Sequence, residues 1–199
     1  MKKYKVLSTL LIAFLLLVFN CSSNPIESTS AALDLNTNDP GGSSGKVFEL
    51  LSASTTGVEF NNELVETEEV NFYRYEYLYN GGGVGIGDIN NDGLSDLYFT
   101  GTVANDKLYL NKGDMKFEDI TLSAGIQQDN GLKTGVSMVD INSDGHLDIY
   151  VSRSGWFETP VKRANLLYIN QGDNTFIESA QAYGLAETGN TVQAGFFDY

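Results

Sequence analysis

Short runs of apolar and aromatic residues alternate with clusters of Gly, Asn and Asp through most of the chain after residue 82. Runs of this length, rich in Val, Ile, Leu, Tyr and Phe and bounded by turn-forming residues, are typical of β-strands. Apart from the first 20 residues, no window of useful length shows a helical period. The pattern predicts an all-β fold with strands at about 83–90, 96–101, 107–111, 116–121, 134–142, 148–153, 165–170 and 175–179.

These eight runs belong to two copies of one unit. The copies align without gaps over their cores, from Gly83 and from Gly135, 52 residues apart. A second shared pattern, Leu-Tyr-x-Asn-x-Gly-Asp, starts at Leu108 and again at Leu167, 59 residues later. Four short strands per repeat are typical of a β-propeller blade, and a period of about 50 residues is typical of such arrays. The sequence therefore predicts a partial β-propeller built from four-stranded blades.

The final residues begin a third copy of the unit. Residues 194–199 repeat the start of the second copy, and Asp198 stands 58 residues after Asp140. Propellers close with about four to eight blades, and two blades plus one strand would leave open sheet edges. We therefore expect the 199 residues to be the N-terminal piece of a longer protein, truncated in the third repeat, which does not form a complete domain.

The part before the repeats has its own composition. A stretch rich in Ser, Asn and Gly shows no hydrophobic period and predicts a flexible tether. Aromatic residues at every second position from Tyr73 to Tyr79 predict a strand with one aromatic face. The predicted organisation is a signal peptide at 1–20, a tether at 21–45, a segment with the aromatic strand at 46–80, blades at 81–131 and 132–190, and the start of a third blade at 191–199.

The first 20 residues predict export. Three lysines among the first five residues precede an apolar run, Val6–Phe19, which is shorter than the roughly 20 residues of a membrane span. Cys21, the only cysteine, follows at once. This arrangement resembles a bacterial lipoprotein signal, in which the cysteine is lipidated, although Asn20 replaces the small residue usual there. The alternative is an incidental cysteine after an ordinary cleaved signal.

Charge and residue counts exclude several classes of function. The chain has 26 acidic and 12 basic residues, a formal charge of −14, whereas nucleic-acid binding requires a basic surface. One cysteine excludes a disulfide scaffold, and the only histidine, His146, occupies a loop position that needs only a backbone carbonyl, so we expect no Ser-His-Asp or Cys-His constellation. We expect no nucleic-acid partner and no enzyme activity within these residues.

Two loops carry the candidate chemistry. Each has Asp, Asn and Asp at alternate positions, then Gly at position 6 and Asp at position 9, and hard cations such as Ca²⁺ bind six to eight oxygens in tight loops of this kind. Position 7 would offer its backbone carbonyl. The predicted calcium ligands are Asp88, Asn90, Asp92, Leu94 and Asp96 in the first loop, Asp140, Asn142, Asp144, His146 and Asp148 in the second, and Asp198 at the start of a third.

Two other interpretations of these loops exist. The spacing resembles the first half of an EF-hand, but position 12 is Phe99 or Val151 instead of Glu, and strand-like sequence flanks both loops. Ordinary hairpin turns rich in Asp and Asn, without a metal, are the second alternative. Two copies in register, with a third starting, favour the cation.

The repeats also resemble a known family. Gly83-Val-Gly-Ile-Gly-Asp88 and Leu108-Tyr-Leu-Asn-Lys-Gly113 resemble the FG-GAP/VCBS repeats of integrin-α-type propellers. The stretches Phe48-Glu-Leu-Leu51, Gly57-Val-Glu-Phe60 and Tyr79-Asn-Gly-Gly-Gly83 resemble bacterial members of the ASPIC/UnbV, or cartilage acidic protein-like, group. The resemblance implies a calcium-binding propeller with a further domain after it, and it implies no established reaction.

The resulting hypothesis is a lipid-anchored, calcium-binding β-propeller that acts as a binding or interaction module at the bacterial cell envelope. We expect an exported protein in the outer membrane, with a protein or glycan ligand and contact with the membrane through the lipid anchor only. The alternative is the N-terminal propeller of an extracellular enzyme acting on glycans or other polymers, with its catalytic residues outside these 199 residues.

Overall fold

The computed structural model describes residues 48–129 and 131–197. The signal peptide, the tether with Cys21 and the candidate ligand Asp198 lie outside the described residues. Among the described residues, no helix is both long enough and apolar enough to cross a membrane.

Two four-stranded antiparallel sheets form the described part of the chain, and each sheet contains its strands in sequence order. All eight predicted strands are present, and the all-β, propeller-like fold is confirmed. The first sheet, blade 1, contains β1 (Val84–Gly87), β2 (Asp96–Phe99), β3 (Lys107–Asn111) and β4 (Phe117–Asp119). The second sheet, blade 2, contains β5 (Leu132–Val139), β6 (Asp148–Ser154), β7 (Leu166–Asn170) and β8 (Phe176–Glu178). The helical elements are α1 (Ala53–Thr56) and two 3₁₀ turns, Leu78–Asn80 and Pro160–Lys162.

The main core lies between the two blades. Alternate residues of the strands point to one face of each sheet, and these apolar side chains form a single cluster that includes Tyr98, Leu108, Ile149 and Tyr168. Burying a side chain of this size stabilises the fold by about 1.5–3 kcal/mol. A smaller cluster around Tyr150 covers the opposite face of blade 2.

The first strands of the two blades approach closely because β1 is rich in glycine. A Cβ atom added to Gly83 would lie 2.9 Å from the backbone nitrogen of Val136, and one added to Gly87 would lie 2.7 Å from Leu147 Cδ1. The Gly-x-Gly-x-Gly pattern of residues 83–87 is therefore a packing requirement.

Residues 191–197 lie along β5 on the far side of blade 2. The Thr134 hydroxyl donates to the Thr191 carbonyl at 2.8 Å, and the Ser137 hydroxyl donates to the Ala194 carbonyl at 2.7 Å. The ring of Phe196 packs edge-on against Tyr150, with 5.4 Å between centroids. This segment therefore lies against blade 2, next to its first strand.

The predicted aromatic strand before blade 1 is wrong. The segment folds into turns and the 3₁₀ turn Leu78–Asn80, because its backbone bonds are local, such as those from Tyr75 N–H to the Asn71 carbonyl and from Leu78 N–H to the Tyr75 carbonyl. Its alternating aromatic side chains do not share one face. Tyr75 packs on Trp156 of blade 2 with 5.6 Å between centroids, while Tyr73 is almost fully exposed.

Candidate metal centre

The two candidate loops, called here the Asp/Asn loops, connect the first and second strands of each blade. The first comprises residues 88–96 and the second residues 140–148. In β1 and β2, Gly87 pairs with Asp96, and in β5 and β6, Val139 pairs with Asp148. The antiparallel register therefore places the beginning and the end of each loop at the base of a hairpin.

Hydrogen bonds from the backbone to side chains shape the first loop. The carboxylate of Asp88 accepts the N–H groups of Asp92 and Gly93, at 3.2 and 2.8 Å. The Asn90 side-chain oxygen also accepts from Asp92 N–H, at 3.1 Å, and Asp92 itself accepts from Leu94 N–H at 2.8 Å. These are Asx-type turns, in which a side-chain oxygen replaces a backbone acceptor.

The second loop repeats this pattern bond for bond. Asp140 accepts from Asp144 and Gly145 N–H at 3.0 and 2.9 Å. Asn142 accepts from Asp144 N–H at 3.1 Å, and Asp144 accepts from His146 N–H at 2.8 Å. The shared residue types therefore produce one loop structure twice.

The backbone conformations also match. Position 6 is Gly93 or Gly145, with φ of 86° and 89°, in the left-handed region that glycine adopts without cost. Position 4 is Asn91 or Ser143, and both have φ of 60°. A serine in this region is uncommon, so the surrounding bonds of the loop hold Ser143 there.

The ninth-position aspartates are buried anchors. Asp96 accepts from Ile89 N–H at 2.9 Å and from Asn111 N–H at 2.7 Å, and both of its oxygens are used. Asp148 does the same with Ile141 N–H at 3.0 Å and Asn170 N–H at 2.8 Å. Each carboxylate therefore ties its loop to the second and third strands of its blade.

Burial raises the pKa of Asp96 above its ordinary value. The two backbone N–H groups that Asp96 accepts from lower this pKa, and the nearby charges of Asp92 and Asp88 raise it. Burial likewise raises the pKa of Asp148, with smaller contributions from Asp144 and Asp140. The carboxylates of one loop therefore lie near enough to repel one another, and a cation would relieve this repulsion.

The two loops contact each other across the blade boundary. The Asn91 side-chain amide donates to the Gly145 carbonyl at 3.0 Å and lies 3.2 Å from Nδ1 of His146, which is half-buried. The Asn170 side-chain amide donates to the Ile89 carbonyl at 2.8 Å. The candidate ligands of both repeats therefore share one edge of the molecule.

The donor chemistry of the loops fits a hard cation, while their arrangement is looser than a metal cage. Asp88, Asn90 and Asp92 present oxygen donors at partly or fully exposed positions, and a carboxylate oxygen that accepts one N–H retains a second lone pair. Among residues 48–129 and 131–197, however, no three Asp, Glu, His or Cys side chains converge as a group that could hold a metal ion. Within each loop, the ninth Asp points its oxygens at backbone amides.

A buried ionic network at the blade boundary was missed by sequence reasoning. Lys133 at the start of blade 2 is 1% exposed, and its Nζ lies 3.5 Å from the carboxylate of Asp106, which is equally buried. The same amino group donates to the carbonyls of Ala104 and Asp129, at 2.9 and 2.7 Å. Asp129 also pairs with buried Arg153 at 3.2 Å. Burial raises the pKa of Asp106 despite the neighbouring Lys133.

The repeat alignment contained a signal for this network. The residue 59 positions after Asp106 is Asn165, and the residue 58 positions after Lys133 is Thr191. Asn165 donates to the Thr191 hydroxyl at 3.0 Å. An ionic pair in one copy thus corresponds to a neutral hydrogen-bonded pair in the next, and both members differ together.

Comparison with known proteins finds one repeat family and two relatives that are similar to part of this chain. Residues 69–151 match the family profile of the FG-GAP-like repeat, the repeat that the sequence resemblance indicated. It is similar to cartilage acidic protein 1 of Xenopus tropicalis, with 38% identity over 72 residues, and to cartilage acidic protein 1 of Homo sapiens, with 36% identity over 72 residues. Each match covers 36% of this chain and 11% of the relative, so the chain spans about a tenth of the length of these relatives.

Proposed function

We propose that the described residues form a calcium-binding part of a β-propeller that binds a macromolecular partner and catalyses no reaction. The FG-GAP-like repeat indicates a propeller-like interaction module. The observation that supports calcium is the duplication of the Asp/Asn loops: two loops 52 residues apart share oxygen donors, hydrogen bonds and left-handed backbone positions.

In the first loop, Asp88, Asn90, Asp92 and the Leu94 carbonyl would hold the ion, with Asp96 as the buried anchor behind them. The corresponding residues of the second loop would be Asp140, Asn142, Asp144, the His146 carbonyl and Asp148. When bound, Ca²⁺ supplies positive charge that offsets the repulsion among the carboxylates of each loop. The consequence is a more rigid edge where the loops of two blades meet.

Calorimetry of the chelator-stripped protein expressed from its complete gene tests this proposal. A site with a dissociation constant near 1 mM, within the range for extracellular modules, stabilises the folded state by about 1.4 kcal/mol at 10 mM Ca²⁺. The wild-type melting temperature should rise with Ca²⁺, and Asp88→Ala or Asp140→Ala should each remove part of the rise. Glu118→Ala, on the exposed side of β4, is the matched control. A melting temperature independent of Ca²⁺ in the wild type would support metal-free Asx turns instead.

We further propose that lipidation at Cys21 holds the exported protein at the bacterial cell envelope. The support is the basic start, the short apolar run and the position of the only cysteine. Metabolic labelling with a fatty acid should mark the wild type, and Cys21→Ala should abolish the label and release the protein from membranes. An unmodified mature N-terminus downstream of Cys21 would indicate a secreted protein without an anchor.

The partner that we propose is a protein or a glycan. Exposed aromatic side chains support this choice, because such rings bind sugars and protein side chains with little loss of conformational freedom. Tyr77 is largely exposed and packs against Tyr75, which in turn contacts Trp156. The formal charge of −14 argues against a polyanionic ligand.

A further inference from the structure

A cavity of about 400 Å³ lies at the end of blade 2 that is opposite its Asp/Asn loop. Asp148 begins β6 at the base of that loop, whereas Arg153, which lines the cavity, is near the other end of the same strand. A volume of this size is within the range of small-molecule sites. The polar residues that line the cavity include Gln127, Asp129, Arg153, Lys162, Glu178 and Gln181.

The cavity is built where blade 2 departs from the repeat. Arg153 stands 52 residues after Gly101, so blade 1 has a glycine at the equivalent position. The N–H of Gly101 donates to Asp106 at 2.9 Å, and the N–H of Arg153 donates to Asn165 at 2.7 Å. The first pair is five positions apart and the second 12, so blade 2 has seven additional residues here. Because blade 1 folds without the arginine and without these residues, the repeat itself does not require them.

Side-chain contacts fix the additional residues of blade 2 in place. Arg163 donates to the Phe157 carbonyl at 2.6 Å and to the Thr188 carbonyl at 3.1 Å. The ring of Phe157 stacks on Trp156, with 4.8 Å between centroids. Nζ of Lys162 lies 5.3 Å from the centroid of the Phe157 ring, as in a cation–π contact. The positive charge of Lys162 is therefore held at the wall of the cavity.

Arg153 is a buried cation with unused hydrogen-bonding capacity. It is 3% exposed, and a guanidinium has five N–H donors. Nη2 pairs with Asp129 at 3.2 Å, and Nη1 donates to the Val161 carbonyl at 3.4 Å. Among residues 48–129 and 131–197, its Nε has no hydrogen-bond partner. An unpaired buried donor is unfavourable, so an acceptor that enters the cavity would gain a strong bond here.

A glycine makes room for this guanidinium. Gly131 lines the cavity, and a Cβ added to it would lie 2.6 Å from Cζ and 2.8 Å from Nε of Arg153. Any other residue at this position would displace the guanidinium. Arg153 and Gly131 therefore fit each other at the wall of the cavity.

The remaining polar residues of the cavity supply both donors and acceptors. Gln127 and Gln181 carry amide groups, and Asp129 and Glu178 carry carboxylates. Hydroxyl groups pair with all of these, because a hydroxyl both donates and accepts. The two carboxylates also repel a second negative charge on a ligand. The cavity therefore suits a molecule with one carboxylate and several hydroxyl groups.

We propose that this cavity binds one hexuronic acid residue of an otherwise neutral glycan, with the sugar carboxylate on Arg153 and the hydroxyl groups on the surrounding amides and carboxylates. Bonds between a guanidinium and a carboxylate are charge-assisted and strong, and Lys162 adds a second positive charge. The formal charge of −14 disfavours a polyuronate. The proposal narrows the partner to a glycan and rests on that part of the proposed function, whereas calcium has no role in it.

Isothermal titration in chelator, with the protein expressed from its complete gene, tests the carboxylate requirement. The probes are methyl glucuronide and methyl galacturonide, each compared with its neutral parent glycoside. At least one uronide should bind with a dissociation constant of about 1 mM or below, and its neutral parent at least about 10-fold more weakly. Equal binding of acid and neutral sugars, or no binding of either uronide, would overturn the proposal. Tighter binding of N-acetylglycine than of the uronides would also overturn it and would indicate a peptide carboxylate.

Substitutions locate the site on the molecule. Lys162→Ala should weaken uronide binding by at least about 3-fold, because it removes an exposed charge at the cavity wall. Lys116→Ala is the matched control, with the same loss of charge at an exposed position between β3 and β4. Arg153→Lys keeps the charge but loses the planar fork, and it should weaken binding by at least about 10-fold. Equal affinities of the two lysine variants would contradict the proposal, and this comparison decides the question should Arg153→Lys fail to fold.

Discussion

The ninth position of each Asp/Asn loop shows how one residue connects sequence pattern and structure. Asp96 fits the spacing of a cation loop, and the sequence assigned it as a ligand on that ground. Both of its oxygens accept from backbone amides, those of Ile89 in the loop and of Asn111 at the end of β3. The second of these donors lies 15 residues away, so the pattern within the loop could not reveal this anchoring role.

Replacing this anchor should destabilise the fold even without calcium. Asp96→Asn or Asp148→Asn keeps the shape, but the amide NH₂ group would face a backbone N–H and leave it unpaired. We expect the free energy of unfolding to fall by about 1–3 kcal/mol in chelator. Urea denaturation measures the change, with Asp92→Asn at the exposed fifth position as the control. Equal effects at positions 5 and 9 would contradict the anchoring role.

At the scale of elements, the strands could be predicted from sequence and their partners could not. Runs such as Leu108-Tyr-Leu-Asn111 bounded by turn residues are local signals, and all eight became strands. The aromatic alternation from Tyr73 to Tyr79 wrongly predicted a strand, because these rings do not share one face. Tyr75 packs on Trp156 of blade 2, whereas Tyr73 is exposed to solvent. Which face packs against which blade depends on contacts between repeats, such as that of Gly83 with Val136.

Gly83, which directly precedes β1, provides a test of this packing. Gly83→Ala should lower the free energy of unfolding by about 1–3 kcal/mol, because the new Cβ would press on the backbone of β5. Gly195→Ala is the matched control, since nothing lies within 4 Å of a Cβ at that position. Chemical denaturation of both variants compares them. An effect of Gly83→Ala as small as that of the control would show that β1 and β5 are not in close contact.

The blade boundary offers a second test at this scale. Asp106 and Lys133 of one repeat correspond to the neutral residues Asn165 and Thr191 of the next repeat. Lys133→Thr alone should lower the free energy of unfolding by about 3–5 kcal/mol, because it leaves the buried carboxylate of Asp106 without its cation. Asp106→Asn should cost less, because Lys133 keeps the carboxylate of Asp129 at 3.4 Å. The double variant, Asp106→Asn with Lys133→Thr, should lose about 1–3 kcal/mol less free energy of unfolding than the sum of the two single losses. Denaturation of all four proteins gives this coupling energy.

The exposed pair Lys112 and Glu118 serves as the control for this double-mutant cycle. Their charged atoms lie 3.6 Å apart, and more than half of each side chain is exposed. Removing either charge should change the free energy of unfolding by about 0–1 kcal/mol. Strict additivity at Asp106 and Lys133 would contradict a coupled boundary pair.

For the whole molecule, repetition is the main organising feature. One unit of sequence produces one blade and one Asp/Asn loop, and neighbouring units share a core and a loop contact. Within each loop, side-chain oxygens accept hydrogen bonds from the backbone N–H groups of the same loop, as in Asx turns without a metal. Its oxygen donors and the mutual repulsion of its carboxylates are what a divalent cation would use.

The most direct test of the central claim is a count of bound Ca²⁺ by isothermal titration of the chelator-stripped protein from its complete gene. Dissociation constants of about 10⁻⁴–10⁻³ M are expected for an extracellular module. Asp88→Ala and Asp140→Ala should each bind one Ca²⁺ fewer than the wild type, and the double variant two fewer, while Glu118→Ala binds as the wild type does. The same number of ions in all five proteins, or no binding in any, would contradict a calcium-binding role for the two loops.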